Sequence, residues 1–212
     1  FIDRSRDYAK LTVVASQMLG SMQKNITPTR AEVSDIANAV YDGADAIMLS
    51  EDILKGRYAF DAVGVAERII LDIVGESSSH QKEVRAMSEL DGEMDVICSQ
   101  AAKIAMTVKA KALVCITKTG NTAIRLSTLD TRLPIFAITF HDHCCQKLKL
   151  LRGVYGMMLH SQPNLDEVLP RVNELLKNSG ALDKGDKYVF VTVTLSSMSQ
   201  EASNLFTIQS IY

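Results

Sequence analysis

Apolar and polar positions along the chain follow two periods. Residues 11–15, L-T-V-V-A, form a short apolar run that predicts a strand. Val33, Ile36, Ala37 and Val40 recur at i, i+3, i+4 and i+7, which predicts a helix over 32–41, ended by Asp42 and Gly43. Residues 44–49, A-D-A-I-M-L, predict the next strand. Residues 60–74 predict a second helix, with Val63, Ala66, Ile70 and Ile73 on one stripe. Between these elements lie a loop at 16–22, a turn at Thr27-Pro28-Thr29 and a polar loop at 50–58. The order β–α–β–α with short connections implies parallel strands joined by crossover helices. Two parallel strands cannot bury both their faces, so this piece is expected to belong to a larger sheet.

The pattern breaks at 77–91, where S-S-S-H-Q-K-E reads as a linker. A new helix starts at Asp95, with Ile97, Ala101, Ile104, Ala105 and Val108 in register. A strand at 112–116 follows, then a strand at 134–139 whose Pro134 suits only its first position. A short helix at 142–151 and a third strand at 154–159 come next. Residues 164–177 predict a helix with Leu165, Val168, Leu169, Val172, Leu175 and Leu176 at helical spacing; Pro170 inside it implies a kink or a loose first turn. Residues 187–194 and 204–211 read as a final, antiparallel strand pair.

With 212 residues, 47% of them hydrophobic, the chain can bury a sizeable core in one large or two modest domains. Lys+Arg 23 against Asp+Glu 25 gives a net charge of -2, so no electrostatic pull toward nucleic acid or an anionic membrane is expected. No apolar run is long enough for a membrane span, and F-I-D-R-S-R-D does not read as a signal peptide. Cys98, Cys115, Cys144 and Cys145 form no C-x-x-C, and they read as reduced thiols of a cytoplasmic protein, mostly buried. His141, Asp142, His143 and Cys144 invite a metal reading. On a helix the two imidazoles would point to different faces, which favours a polar helix start capped by Asp142.

The chemistry concentrates at A-L-V-C-I-T-K-T-G-N-T-A, residues 112–123. A buried parallel strand runs into Thr117, Lys118, Thr119, Gly120, Asn121 and Thr122, and Thr122 is placed to cap a helix that starts at Ala123 and carries Ile124, Leu126 and Leu129. Helix-end N–H groups, hydroxyls and one ammonium together make a cradle for an oxyanion. An ordinary capped turn with an exposed Lys118 accounts for the spacing equally well, since the run is not a P-loop.

Four segments taken together resemble the pyruvate kinase family: Ser16-Gln17-Met18-Leu19, Pro28-Thr29-Arg30-Ala31-Glu32, Asp35 to Ser50 (D-x-A-N-A-V-x-D-G-A-D-x-x-M-L-S) and Lys55-Gly56-x-Tyr58. Their spacing is collinear with that family's A-T-Q-M-L, P-T-R-A-E, D-V-A-N-A-V-x-D-G-A-D and M-L-S-G-E-T-A-K-G-x-Y. Thr117 to Ala123 resembles its T-K-[ST]-G-x-[ST]-A loop, Lys184-Gly185-Asp186 its K-G-D, and Ser203-Asn204 a late T-N.

The resemblance implies an α/β chain: the last two units of a (β/α)8 barrel, residues 1–79, a linker, 80–94, and a C-terminal α/β domain, 95–212, with a mostly parallel five-stranded sheet. It implies the C-terminal part of a cytoplasmic glycolytic kinase that transfers phosphoryl from phosphoenolpyruvate to ADP with Mg2+ and K+. Such enzymes usually form homo-oligomers, often tetramers. Barrel sites lie at the carboxyl ends of strands, which marks Ser16 and Ser50 as candidate catalytic residues. Ser16 stands where the family has a threonine beside the reacting enolpyruvate. The 117–122 loop is expected to bind the phosphate of a sugar-phosphate effector or inorganic phosphate.

This chain also departs from the family's pattern. The family's catalytic lysine and metal-binding carboxylates lie upstream of Phe1, so the chain alone is expected to be inactive and to hold no metal. S-G-E-T-A is replaced by Ser50-Glu51-Asp52-Ile53-Leu54, and residues 195–203 lack the family's glycines. A non-catalytic effector-binding or oligomerisation module therefore stands as the alternative.

Overall fold

In the computed structural model, which describes residues 1–15, 18–50, 55–77, 92–160, 165–192 and 205–212, the chain divides into two units, Phe1–Lys82 and Glu83–Tyr212. The first begins with a short helix, α1 (Ile2–Asp7). Two short strands follow, β1 (Val13–Ala15) and β2 (Ala46–Met48), which pair in parallel from Val13↔Ala46 to Ala15↔Met48. The Asp45 carboxylate accepts from the Thr12 amide at 2.9 Å and locks this pairing at its start. Helix α2 (Arg30–Asp42) connects the strands. Its N-cap Thr29 and its Glu32 form a reciprocal capping box, and Gly43 ends it with φ +93°. A Cβ at Gly43 would push the end of the Arg6 side chain aside, but it is the left-handed backbone angle that favours glycine there.

Helix α3 (Ala59–Ser77) packs on α2. Met18, Leu19, Met22, Ile36, Val40, Ala62 and Ala66 form the buried cluster, with Ile70 and Ile73 against it. Val63 does not join them: it is 54% exposed. The expected stripe is rotated, and Phe60, Val63, Leu71 and Val74 face outward.

The second unit opens with α4 (Glu93–Thr107). Its sheet has the order β5-β4-β3-β6-β7. Strands β3 (Ala112–Ile116), β4 (Ile135–Thr139), β5 (Val154–Met158) and β6 (Lys187–Thr192) are parallel, and β7 (Leu205–Ser210) runs antiparallel to β6. Short helices α5 (Asn121–Thr128) and α6 (Asp142–Leu148) follow β3 and β4. Helix α7 (Leu165–Asn178) joins β5 to β6 and runs through Pro170. Its Val168, Val172 and Leu176 pack on Ala112, Val114, Ile116, Tyr188 and Phe190 of the sheet. Every residue of β3 is buried, as expected of a central parallel strand.

One expectation is corrected here. The cap of α6 is His141 and Asp142 is its first residue, with no side-chain capping bond; the Thr139 hydroxyl accepts from the His141 amide at 3.3 Å and holds the chain one residue ahead of Asp142. Cys98, Cys115 and Cys144 are buried and Cys145 is half-buried, as expected of mostly buried thiols. Burial raises the Cys98 thiol to about 12, against the opposing pull of the Arg125 charge. Burial pushes Cys115 up further, helped by its neighbours Cys98 and Cys144.

Candidate functional site

Strand β3 has β4 on one side and β6 on the other, so the strand order reverses between β3 and β6. In open α/β sheets the crevice outside the carboxyl ends at such a point is the usual ligand position. The 117–122 loop leaves β3 there. Thr117 is anchored to the sheet by its own N–H, which donates to the Ile138 carbonyl at 2.9 Å. Its hydroxyl oxygen, buried, accepts from the Gly120 amide at 2.9 Å. Gly120 adopts φ +91° and caps α5, and the Ile124 amide donates to its carbonyl at 3.0 Å. The cap is thus Gly120 and not Thr122, and α5 begins at Asn121. The Thr117 hydroxyl closes the turn ahead of the helix by holding the Gly120 amide, and no side chain caps the first-turn amides of α5.

This arrangement sorts the predicted donors. Lys118, Thr119 and Asn121 are exposed, whereas Thr117, Gly120 and Thr122 are buried. The Gly120 amide is spent on Thr117. The amides of Asn121, Thr122 and Ala123 belong to the first turn of α5 and have no acceptor within the helix. Lys147, from α6, donates to the Thr119 carbonyl at 3.4 Å and brings a second ammonium to the rim. Thr192 ends β6 in register with Ile116. Among the described residues its hydroxyl is buried without a hydrogen-bond partner, on the face of the sheet that carries Ile116 and Phe190.

Helix α5 has only two turns, so its placement depends on few contacts. Ala123, Leu126 and Leu129 are fully buried. Arg125 forms an ion pair with Asp95 of α4, whose carboxylate is 1% exposed. The Ser127 hydroxyl donates to the Arg152 carbonyl at 2.7 Å. Nothing in the local sequence pattern announced Lys147, Thr192 or the Arg125–Asp95 pair.

In the first unit, Ser16 lies outside the described residues, as do 51–54 of the altered loop. Ser50 is half-buried, just beyond the carboxyl end of β2. Beyond β1 the chain turns at Leu19, which is buried at φ +59°, an unusual angle for a bulky residue. The Glu32 carboxylate holds this turn. It accepts from the Ser21 amide at 2.7 Å and its hydroxyl at 2.5 Å, and from the Thr29 amide and hydroxyl at 2.8 Å each. Partial burial opposes its ionisation, but the bonds from Ser21 and Thr29 outweigh that and hold its pKa below the ordinary glutamate value. Among the described residues no cluster of His, Cys, Asp and Glu is placed to hold a metal ion. No helix among those residues is long and apolar enough to cross a membrane.

The chain matches the models of the pyruvate kinase barrel domain over residues 1–63 and of the pyruvate kinase alpha/beta domain over residues 95–208. It is similar to a pyruvate kinase of Agrobacterium vitis, 34% identical over 87% of this chain and 39% of that protein. It is also similar to one of Mycobacterium tuberculosis, 36% identical over 90% of this chain and 40% of that protein. Among solved structures it resembles a pyruvate kinase from Cryptosporidium parvum, with TM-score 0.78 and 32% identity over all of this chain and 42% of that one. The chain thus spans about two-fifths of the length of the relatives it matches. With both domain models satisfied in order, the chain belongs to the pyruvate kinase family, as a barrel segment followed by the C-terminal α/β domain.

Proposed function

We propose that this chain is the C-terminal part of a cytoplasmic pyruvate kinase, and that its α/β domain binds a phosphate group in the 117–122 loop as a regulatory ligand. The parent enzyme would move phosphoryl from phosphoenolpyruvate to ADP with Mg2+ and K+. Ser50, just beyond the carboxyl end of β2, and Ser16, which the family resemblance marks, would be this chain's contribution to that site. The observation that carries the phosphate reading is the turn closed by Thr117 and Gly120 at the switch point of the sheet. It sets the first-turn amides of α5 beside the exposed Thr119 hydroxyl and Lys118 ammonium. Lys147 beside Thr119 adds positive charge.

The experiment is calorimetric titration of the chain at low salt with inorganic phosphate, sugar monophosphates and sugar bisphosphates. Binding is expected for at least one of these at millimolar concentration or below. A charge-assisted bond to phosphate contributes about 1.5–3 kcal/mol, so Lys118→Ala is expected to weaken binding about ten- to a hundredfold. Binding by none of them, or equal binding by Lys118→Ala, reduces the loop to a capped turn. The chain would then serve assembly only, which is the second reading, favoured by the exposed apolar face of α3.

A further inference from the structure

We propose that the ion pair between the buried Asp95 and the partly exposed Arg125 is the positioning element of the anion loop and couples its occupancy to the first turn of α4. This rests on the phosphate reading above. Asp95 is the third residue of α4, the first helix of the second unit. Its carboxylate is almost wholly withdrawn from water. A desolvated carboxylate is stable only in a well-made set of charge and hydrogen-bond contacts, so the pair with Arg125 tolerates little displacement. Arg125 lies four residues after Asn121, on the same face of α5 and one turn below the amides that would hold the ligand.

The apolar contacts of α5 through Ala123, Leu126 and Leu129 resist its removal from the sheet but fix its rotation poorly, because dispersion and burial have no direction. The guanidinium is directional. A ligand drawn to the N-terminus of α5 pulls on a helix tied by Arg125 to Asp95, so the first turn of α4 is stabilised along with it. By reciprocity, whatever orders that turn tightens the anion site by the same factor.

The test measures inorganic phosphate affinity and amide exchange in the full 212-residue chain. It compares wild type, Arg125→Lys, and the double variant Asp95→Leu/Arg125→Met, which removes both charges and leaves neither buried alone. In wild type, phosphate is expected to slow exchange at 121–123 and also at 96–99. The double variant, shown folded by circular dichroism and a cooperative melt, is expected to bind phosphate at least about fivefold more weakly and to lose the response at 96–99. Arg125→Lys, which keeps the charge, is expected to recover part of both. Wild type that binds phosphate with no response at 96–99 overturns this coupling and leaves the phosphate reading standing. So does a folded double variant that behaves as wild type. Wild type that binds no phosphate overturns both.

Discussion

The Thr117 hydroxyl oxygen accepts the Gly120 amide proton at 2.9 Å, and this bond, made within a buried turn, decides which groups the loop can offer to a ligand. It places the helix-end amides two residues earlier than the sequence implies, at Asn121, Thr122 and Ala123 directly after Gly120. It also makes Gly120 a structural residue as much as a ligand-approach residue, since it is buried at φ +91°.

Gly120→Ala is therefore expected to destabilise the second unit. A Cβ there would meet Leu148 Cδ2 at 3.6 Å and Cys144 Sγ at 3.9 Å, both ordinary contacts. The cost comes from the backbone angle, about 1–2 kcal/mol. Gly120→Val adds χ1 restriction and bulk and is expected to cost more. Urea unfolding measures both. A midpoint equal to wild type for Gly120→Ala would show that the turn relaxes.

Glu32 gives a pH dependence of known sign. Its folded pKa lies below its unfolded value, so its contribution is fully present above the ordinary glutamate range and is lost as pH falls through the folded pKa. Glu32→Gln keeps the shape but lacks the charge, and is expected to cost about 1 kcal/mol at pH 7. The gap between wild type and variant should close as pH is lowered through and below the ordinary glutamate range, read as melting temperature against pH. A gap that is constant with pH would show that the carboxylate's charge contributes nothing.

The 212-residue chain alone is expected to form no pyruvate from phosphoenolpyruvate and ADP above background. The phosphoryl-transfer chemistry of such enzymes rests on cations that neutralise the moving group. A coupled assay with Mg2+ and K+ tests this. Turnover that disappears on Ser16→Ala would overturn it.

Self-association is also expected. Phe60 is 94% exposed and Leu71 61%, with Val63 and Val74 on the same side of α3. Such a face is normally covered. Sedimentation at about tens of micromolar should show species above 23.3 kDa. A single sharp monomer boundary would contradict it, and Phe60→Ser/Leu71→Ser should shift the equilibrium toward monomer.

The fold was legible wherever the signal was local. Helices and strands declared themselves by period, and β3 by an unbroken apolar run between polar residues. The capping box of Thr29 and Glu32 is readable as P-T-R-A-E at the start of a helical stripe. What was not legible depended on contacts distant in sequence. Thr122 precedes an apolar stripe and satisfies the pattern of a cap. Only the turn geometry shows that Gly120 takes that place, its amide held by the Thr117 hydroxyl. Periodicity placed Val63 on a stripe with Ala66, but which edge of the stripe meets the core depends on where α2 lies. Lys147 reaches Thr119 across 28 residues and Arg125 reaches Asp95 across 30, separations at which spacing rules carry no information.

The four cysteines have a practical consequence. Cys98 and Cys115 are closed off from solvent and hold their protons well above neutral pH, and Cys144 is buried beside Gly120. A thiol reagent attacks the thiolate, and only Cys145 has appreciable surface from which to react. All four lie in the second unit, so that unit carries its own clock. One fast label on Cys145 counts folded molecules. The slow labels on the other three time its opening, with no dye, tag or added residue required.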